Sequence, residues 1–241
     1  MKTSNMLIIA ALIVSLGMVT TYNFSLKAAY EAGDYKNRFK ESEFREVKNI
    51  ETLNITDANL IAIIVEPGKK EGIWIRKRVK EHLMLNQVGN TLTVGLTDEA
   101  RKTSRLTGYE DIVLVTNGLK KLNTVAYWPK DNKRENVNVY GGEVSLKGIK
   151  STELDIRMAS STSVTMDKMI LNTLNVVVGD EKGGAAMHLD PDNQIEFAEF
   201  AIPGASKLSL NDPKIVKTRY NLSDKATVTL NGTALQVIKN Q

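Results

Sequence analysis

The sequence predicts an all-β fold, a β-solenoid with rungs of about 20 residues preceded by one N-terminal hydrophobic helix. Three observations carry that reading: a strand-like phrase repeated five times, a second ladder interleaved with it, and an uncharged apolar run at the start.

The phrase reads Val144-Ser145-Leu146-Lys147-Gly148, Val164-Thr165-Met166-Asp167, Met187-His188-Leu189-Asp190, Leu208-Ser209-Leu210-Asn211 and Val228-Thr229-Leu230-Asn231-Gly232. Its starts lie 20, 23, 21 and 20 residues apart. Each copy alternates apolar and polar residues and closes on a turn former, the period of a strand with one buried face. A near-constant spacing of this kind marks stacked repeats. The second ladder is Leu154-Asp155-Ile156, Leu174-Asn175-Val176, Ile195-Glu196-Phe197 and Val216-Lys217-Thr218, spaced 20, 21 and 21 residues apart. Stacking in parallel register would line up Val144, Val164, Met187, Leu208 and Val228 inside. Leu146, Met166, Leu189, Leu210 and Leu230 would form a second inner column, with Ser145, Thr165, His188, Ser209 and Thr229 pointing outward.

At the start of the chain, Thr3 to Leu26 carries no charge and is long enough for the roughly 20 residues of a bilayer helix. A cleaved signal peptide would need small residues at its cleavage site. Val19 with Thr21 and the Ala28-Ala29 pair supply them poorly, so an uncleaved anchor is the favoured reading. Tyr22 and Phe24 suit an interface. Residues 1–27 are thus expected as signal anchor or signal peptide, and 28–46, with alternating charges, as a tether. The β domain is expected over 47–238. Short apolar runs continue through Ile50–Ile55, Leu60–Val65, Ile73–Ile75, Leu83–Leu85, Leu92–Leu96 and Ile112–Val115, divided by turn signals such as Gly89-Asn90 and Asn117-Gly118. Arg101 to Leu106 reads as a loop excursion.

Among 241 residues, 42% are hydrophobic and 6% aromatic, which suits a narrow core of Val, Leu, Ile and Met. Thirty-two basic residues face 28 acidic ones for a net charge of +4, too mild and too interspersed for a nucleic-acid footprint. Cysteine is absent, which removes disulfides and thiol chemistry.

The opening Met1-Lys2-Thr3-Ser4-Asn5 with its apolar leader, then Val47-Lys48-Asn49-Ile50, Val65-Glu66-Pro67-Gly68 with Ile73-Trp74-Ile75, and Val88-Gly89-Asn90-Thr91-Leu92-Thr93-Val94 resemble the head GIN-domain proteins. These are labelled "putative auto-transporter adhesins" and are commonest in Bacteroidetes-type bacteria. Ala159-Ser160-Ser161-Thr162-Ser163 is similar to the small-residue turns of that family, which usually carry glycines there. The resemblance covers roughly residues 44 to 235. It implies a right-handed parallel β-helix in the cell envelope and no catalytic residue.

The residues themselves point to no catalytic, cofactor or metal site. There are two histidines, His82 and His188, both expected on strand surfaces. Asp190-Pro191-Asp192-Asn193 lacks the order of a calcium loop and reads as a turn. Gly179-Asp180-Glu181-Lys182-Gly183-Gly184 places acids where phosphate would be repelled and reads as a long turn. The most unusual charge feature is Lys69, Lys70, Arg76, Lys77, Arg78 and Lys80 around Trp74. The favoured reading is a charged edge that blocks strand pairing, and the functional alternative is a patch for an anionic surface such as lipid headgroups or acidic polysaccharide.

The function expected is that of a non-catalytic cell-envelope protein, membrane-anchored by its N-terminal helix with the β domain outside the cytoplasm. It would act as an adhesin-like module binding carbohydrate or an envelope protein, and not nucleic acid. The alternatives are a structural or sensory ectodomain bound to a partner protein and, less favoured, a polysaccharide-degrading enzyme.

Overall fold

The computed structural model describes residues 3–33, 37–102, 111–128 and 142–235, and the chain divides into two compact units, Met1–Glu41 and Ser42–Gln241. The first unit is dominated by helix α1 (Thr3–Glu31). Leu7, Leu16 and Met18 are all exposed, because the helix is apolar around its circumference and has no single stripe to bury. Thr20 and Thr21 turn their hydroxyls back onto the carbonyls of Leu16 and Gly17, each at 2.8 Å, so neither needs water. The 27 residues Asn5–Glu31, whose charges Lys27 and Glu31 lie in the last turns, span about 40 Å at 1.5 Å per residue. That length and composition suit a membrane-crossing helix and a signal sequence equally.

The second unit is built from strands β1 (Ser42–Arg45), β2 (Thr52–Ile55), β3 (Ala62–Glu66), β4 (Gly72–Arg76), β5 (Leu83–Val88), β6 (Thr91–Leu96), β7 (Ile112–Val115) and β8 (Lys121–Thr124). They are followed by β9 (Glu143–Lys147), β10 (Lys150–Met158), β11 (Ser163–Asp167), β12 (Ile170–Val178), β13 (Ala186–Leu189), β14 (Gln194–Ile202), β15 (Lys207–Asn211), β16 (Lys214–Leu222) and β17 (Thr227–Asn231). A nine-stranded sheet has the order β1-β4-β7-β3-β9-β11-β13-β15-β17. An eight-stranded sheet has the order β16-β14-β12-β10-β8-β2-β6-β5.

The first ladder of the sequence pairs in parallel register. Val144 lies opposite Val164, Val164 opposite Met187, Met187 opposite Leu208 and Leu208 opposite Val228. Leu146, Met166, Leu189 and Leu210 pair likewise, and all eight side chains from β9 to β15 in these two columns are buried. Each such burial contributes about 1.5–3 kcal/mol. Of the outward column, Thr165, His188 and Ser209 are half-buried and Thr229 is exposed, but Ser145 is buried beside Ile64.

The right-handed parallel β-helix expected over 47–238 is not the architecture. Both sheets are mixed: β4 runs antiparallel to β1 and β7, and β5 antiparallel to β6. In the N-terminal half, strand order departs from chain order, with β3 between β7 and β9 and β2 between β8 and β6. The cause is local. The twenty-residue spacing begins only at Glu143, and upstream of it the chain makes a tight hairpin. Val88 pairs with Thr91 across Gly89-Asn90, and Gly89 has φ +56°, the left-handed geometry that a two-residue reversal takes at its first position.

The second ladder is also shifted from its expected alignment. Ile195 pairs with Leu171 and Ile215, not with Leu174, and Asn175 faces Glu199. Within the expected tether, Ser42–Arg45 forms β1, while Asp34 and Lys36 lie outside the described residues. Of the expected excursion, Arg101 and Lys102 belong to a 3-10 turn and residues 103–106 lie outside the described residues.

Candidate functional site

The basic cluster singled out in the sequence sits on β4 and the 3-10 helix that follows it, Lys77–His82. Alternation on β4 buries Ile73 and Ile75 and turns Trp74 outward onto Phe44, ring centroids 4.9 Å apart. The strand ends at Arg76, so Arg78 reaches its place from the helix and not from a continuing strand. Both guanidinium groups meet the buried carboxylate of Asp111: Arg76 Nε lies 3.6 Å from Oδ1, and Arg78 Nη2 donates to Oδ2. Lys80 Nζ lies 2.6 Å from Glu43 Oε2, and the hydrogen bond from Lys80 holds the Glu43 carboxyl below the usual range. Lys70 Nζ stands 4.0 Å over the Phe44 ring. Lys69 and Lys77 are exposed. Asp111, Glu43 and Phe44 are thus part of the cluster, and sequence spacing alone gave no sign of them, since they arrive from β1 and from the residue before β7.

Among the described residues no group of three His, Asp or Glu side chains is placed to hold a metal. His188 sits between Thr165 and Ser209 on the sheet face, half-buried as they are, and His82 ends the 3-10 helix, also half-buried. The turn 190–193 is a built corner. Asn193 is fully buried, donating from Nδ2 to the carbonyls of Met166 (2.8 Å) and Asp190 (2.7 Å), while its Oδ1 accepts from the Met169 N–H at 3.0 Å. Burial pushes the neighbouring Asp190 carboxyl up, and Asp167 adds to the shift. In the turn 179–184, Asp180 accepts from the Ser160 hydroxyl, which holds its carboxyl low, and from the Lys182 N–H at 2.8 Å.

A second location comes from the shift in the eight-stranded sheet. Pairing between β10 and β12 passes from Ser151 opposite Leu171 to Glu153 opposite Thr173, leaving out one residue on each strand. The same step recurs between β12, β14 and β16, so that Thr152, Asn172, Glu196 and Val216 stand out of the ladder side by side. Alternation is broken there, and two consecutive side chains on each strand stay away from the core. Asn172 with Thr173, Glu196 with Phe197 and Val216 with Lys217 line a shallow open groove of about 430 Å³ on the outer face. Leu171 and Leu174 on either side are buried, which fixes the floor. Phe197 is half-buried, its ring 6.0 Å from the Arg219 guanidinium carbon. Beside the groove, Asn175 Nδ2 donates to Asp155 Oδ1 at 2.8 Å, and Arg219 Nη1 lies 3.6 Å from Glu199 Oε2. The groove is therefore an aromatic ring set among amide, hydroxyl, carboxylate and ammonium groups. A run of two outward residues inside each nine-residue strand is its sequence signal, and Val216 is 76% exposed there.

No family model matches the chain and no curated protein matches it. The head GIN resemblance is therefore not joined by a matching family model. Among solved structures, the chain is similar to a "putative adhesin" from Bacteroides fragilis at 13% identity, covering 79% of this chain and 96% of that one, TM-score 0.44. It is similar to a "putative lipid binding protein" from Parabacteroides distasonis at 19% identity, covering 80% and 98%, TM-score 0.37. A "putative adhesin" from Parabacteroides merdae aligns at 11% identity over 79% and 95%, TM-score 0.33. Alignments of this strength assign neither a fold nor a function to the chain.

Proposed function

We propose that the protein is a non-catalytic cell-envelope binding module, held to a membrane by α1 and recognising a carbohydrate chain on the outer face of its eight-stranded sheet. The observation that carries this reading is the groove at Asn172, Thr173, Glu196, Phe197, Val216 and Lys217. A pyranose presents a C–H face that packs on an aromatic ring and a rim of hydroxyls that both donate and accept, and Phe197 with its polar neighbours offers both. The groove is open and repeats its geometry strand by strand, which suits an extended polymer better than an enclosed small molecule. Glu196 is the one carboxylate among the six lining residues, whereas glycoside hydrolysis uses a pair.

The test uses the full chain in nanodiscs on an array of envelope polysaccharides. Binding that falls at least tenfold in Phe197→Ala supports the reading. Equal binding by Phe197→Ala, or cleavage of a bound glycan, removes it.

Attachment to an anionic surface is the second reading, supported by the exposed Lys69 and Lys77 beside Lys70, Trp74, Arg76, Arg78 and Lys80. The pairing of Arg76 and Arg78 with Asp111 and of Lys80 with Glu43 lowers the charge available for it. Sedimentation on anionic vesicles that persists unchanged after Arg76, Lys77 and Arg78 are replaced by serine eliminates that reading.

A further inference from the structure

The eight-stranded sheet ends on β16, and the nine-stranded sheet ends on β17, the next strand in the chain. One strand inward, Ile195, Phe200, Leu208 and Leu210 are buried to within 2% of complete. Their partners on the outermost strands, Ile215, Tyr220, Val228 and Leu230, are only half-buried, and Val216 is 76% exposed. Nine residues of β16 thus combine a backbone edge that pairs with no further strand among the described residues with incompletely covered apolar side chains. The N–H groups of Lys214 and Ser223 point inward to the carbonyls of Asn193 and Ile202. Counting back by alternation from Ser223, the N–H groups of Thr218, Tyr220 and Leu222 point outward.

The charges along this edge select its occupant. Lys214, Lys217, Arg219 and Lys225 lie along it; Arg219 also stands 3.6 Å from Glu199 Oε2 and Asp224 precedes Lys225, while the nearby Asp212 carboxylate is engaged by the Thr233 N–H at 2.6 Å and hydroxyl at 2.7 Å, which leaves Lys214 and Lys217 as the uncompensated charges of the strand. A second copy pairing β16 with β16 about Thr218 would set Lys217 against Arg219, a like-charge pair. Head-to-tail addition would bring β5, Leu83–Val88, which has no charged residue to answer the lysines. Lysines on an edge discourage self-pairing, and the same lysines admit a strand that carries acids.

We propose that β16 is a docking edge for an extended segment of a partner protein in which acidic residues alternate with apolar ones. The segment adds as a further strand, hydrogen-bonding to the outward backbone groups of β16. Its acids meet Lys217 and Arg219, and its apolar side chains cover Ile215 and Tyr220. This edge adjoins the carbohydrate groove and shares Val216 and Lys217 with it, but its test uses the backbone edge and needs no glycan.

The probe is a dye-labelled nine-residue peptide alternating valine and glutamate, compared with its valine–lysine counterpart, both titrated by anisotropy against the full chain in nanodiscs. The glutamate peptide is expected to bind, to weaken on the order of tenfold between low and high salt, and to outcompete the lysine peptide. Lys217→Glu with Arg219→Glu should reverse the preference between the two peptides. Thr218→Pro, which removes an outward N–H and no ladder bond, should weaken binding at least tenfold with an unchanged thermal midpoint. Equal binding of both peptides, or a preference unmoved by the charge reversal, overturns the proposal. So does binding seen only in a chain ending at Leu235, which would assign the edge to residues 236–241, and so does a dimer dissolved by the charge reversal.

Discussion

The buried carboxylate of Asp57 holds Arg101 with both oxygens, Nε to Oδ1 at 2.8 Å and Nη2 to Oδ2 at 3.2 Å. Asp57 also accepts from the Leu96 N–H at 2.8 Å and the Thr56 hydroxyl at 3.0 Å, so one side chain ties β2, β6 and the 3-10 turn at 100–102 together. Removing one member of a buried pair leaves the other uncompensated. Asp57→Ala is expected to cost about 3–5 kcal/mol in urea unfolding. Arg101→Ala in the Asp57→Ala background should then cost far less than it does alone, a non-additivity that a double-mutant cycle measures.

Asn193→Ala removes the amide that bridges Met166, Met169 and Asp190. It is expected to cost about 1–3 kcal/mol, because the carbonyls and the N–H it satisfied stay buried. Asn193→Asp should be as harmful at neutral pH, since Nδ2 is a donor to two carbonyls and a carboxylate offers none.

Two carboxyls give opposite pH dependence. Asp180 is held low by the Ser160 hydroxyl, so it contributes stability that is present above the ordinary carboxylate range and is lost as pH falls through its folded pKa. Asp190 is pushed up by burial and by Asp167, so its ionisation opposes folding as pH rises through its folded pKa. Asp180→Ala is therefore expected to destabilise at pH 7 and progressively less in acid. Asp190→Asn should stabilise at pH 7 and have no effect once the carboxyl is protonated. Chemical denaturation at pH 7 and pH 3 checks both signs.

Gly142→Ala is expected to destabilise by about 1–3 kcal/mol. A methyl there would lie 2.1 Å from the Ala58 carbonyl oxygen and 2.8 Å from that of Ile61, both backbone atoms that cannot rotate away. Thermal scans check this, and a scan of Gly89→Ala, whose added carbon meets nothing within 4 Å, isolates the cost of its positive φ alone.

If α1 remains as an anchor, the protein resists carbonate extraction from membranes and its mature N-terminus is that of the helix. Release into the soluble fraction with a new N-terminus beyond Leu26 would identify a cleaved leader.

The inward columns of the nine-stranded sheet were legible because each repeat carries two apolar residues two apart, and a parallel register superposes like on like. The eight-stranded sheet was legible only in part. Its strands carry two apolar positions three apart, Leu171 with Leu174 and Ile195 with Ala198, and the second position shrinks to Ala198 and Thr218 in the later strands. An alignment on large residues therefore slides by three between β12 and β14 and by one between β14 and β16, which hid the skipped column and with it the groove. The N-terminal half was misread because its pairing joins distant strands, β2 to β8 and β3 to β9, and no local spacing encodes such partners. Arg76 and Arg78 were visible as charges, but their convergence on Asp111 depends on β4 ending where it does.

The hairpin at Gly89 and the register of β9 to β17 leave the chain with unequal prospects for growth. A duplicated stretch of some twenty residues inserted after Asn231 would meet backbone donors and acceptors already in position on β16 and β17. The same insertion before Glu143 would have to separate β9 from β3 and β10 from β8 first. Evolutionary lengthening of such a molecule has one permissive direction, and relatives of differing size are expected to differ there.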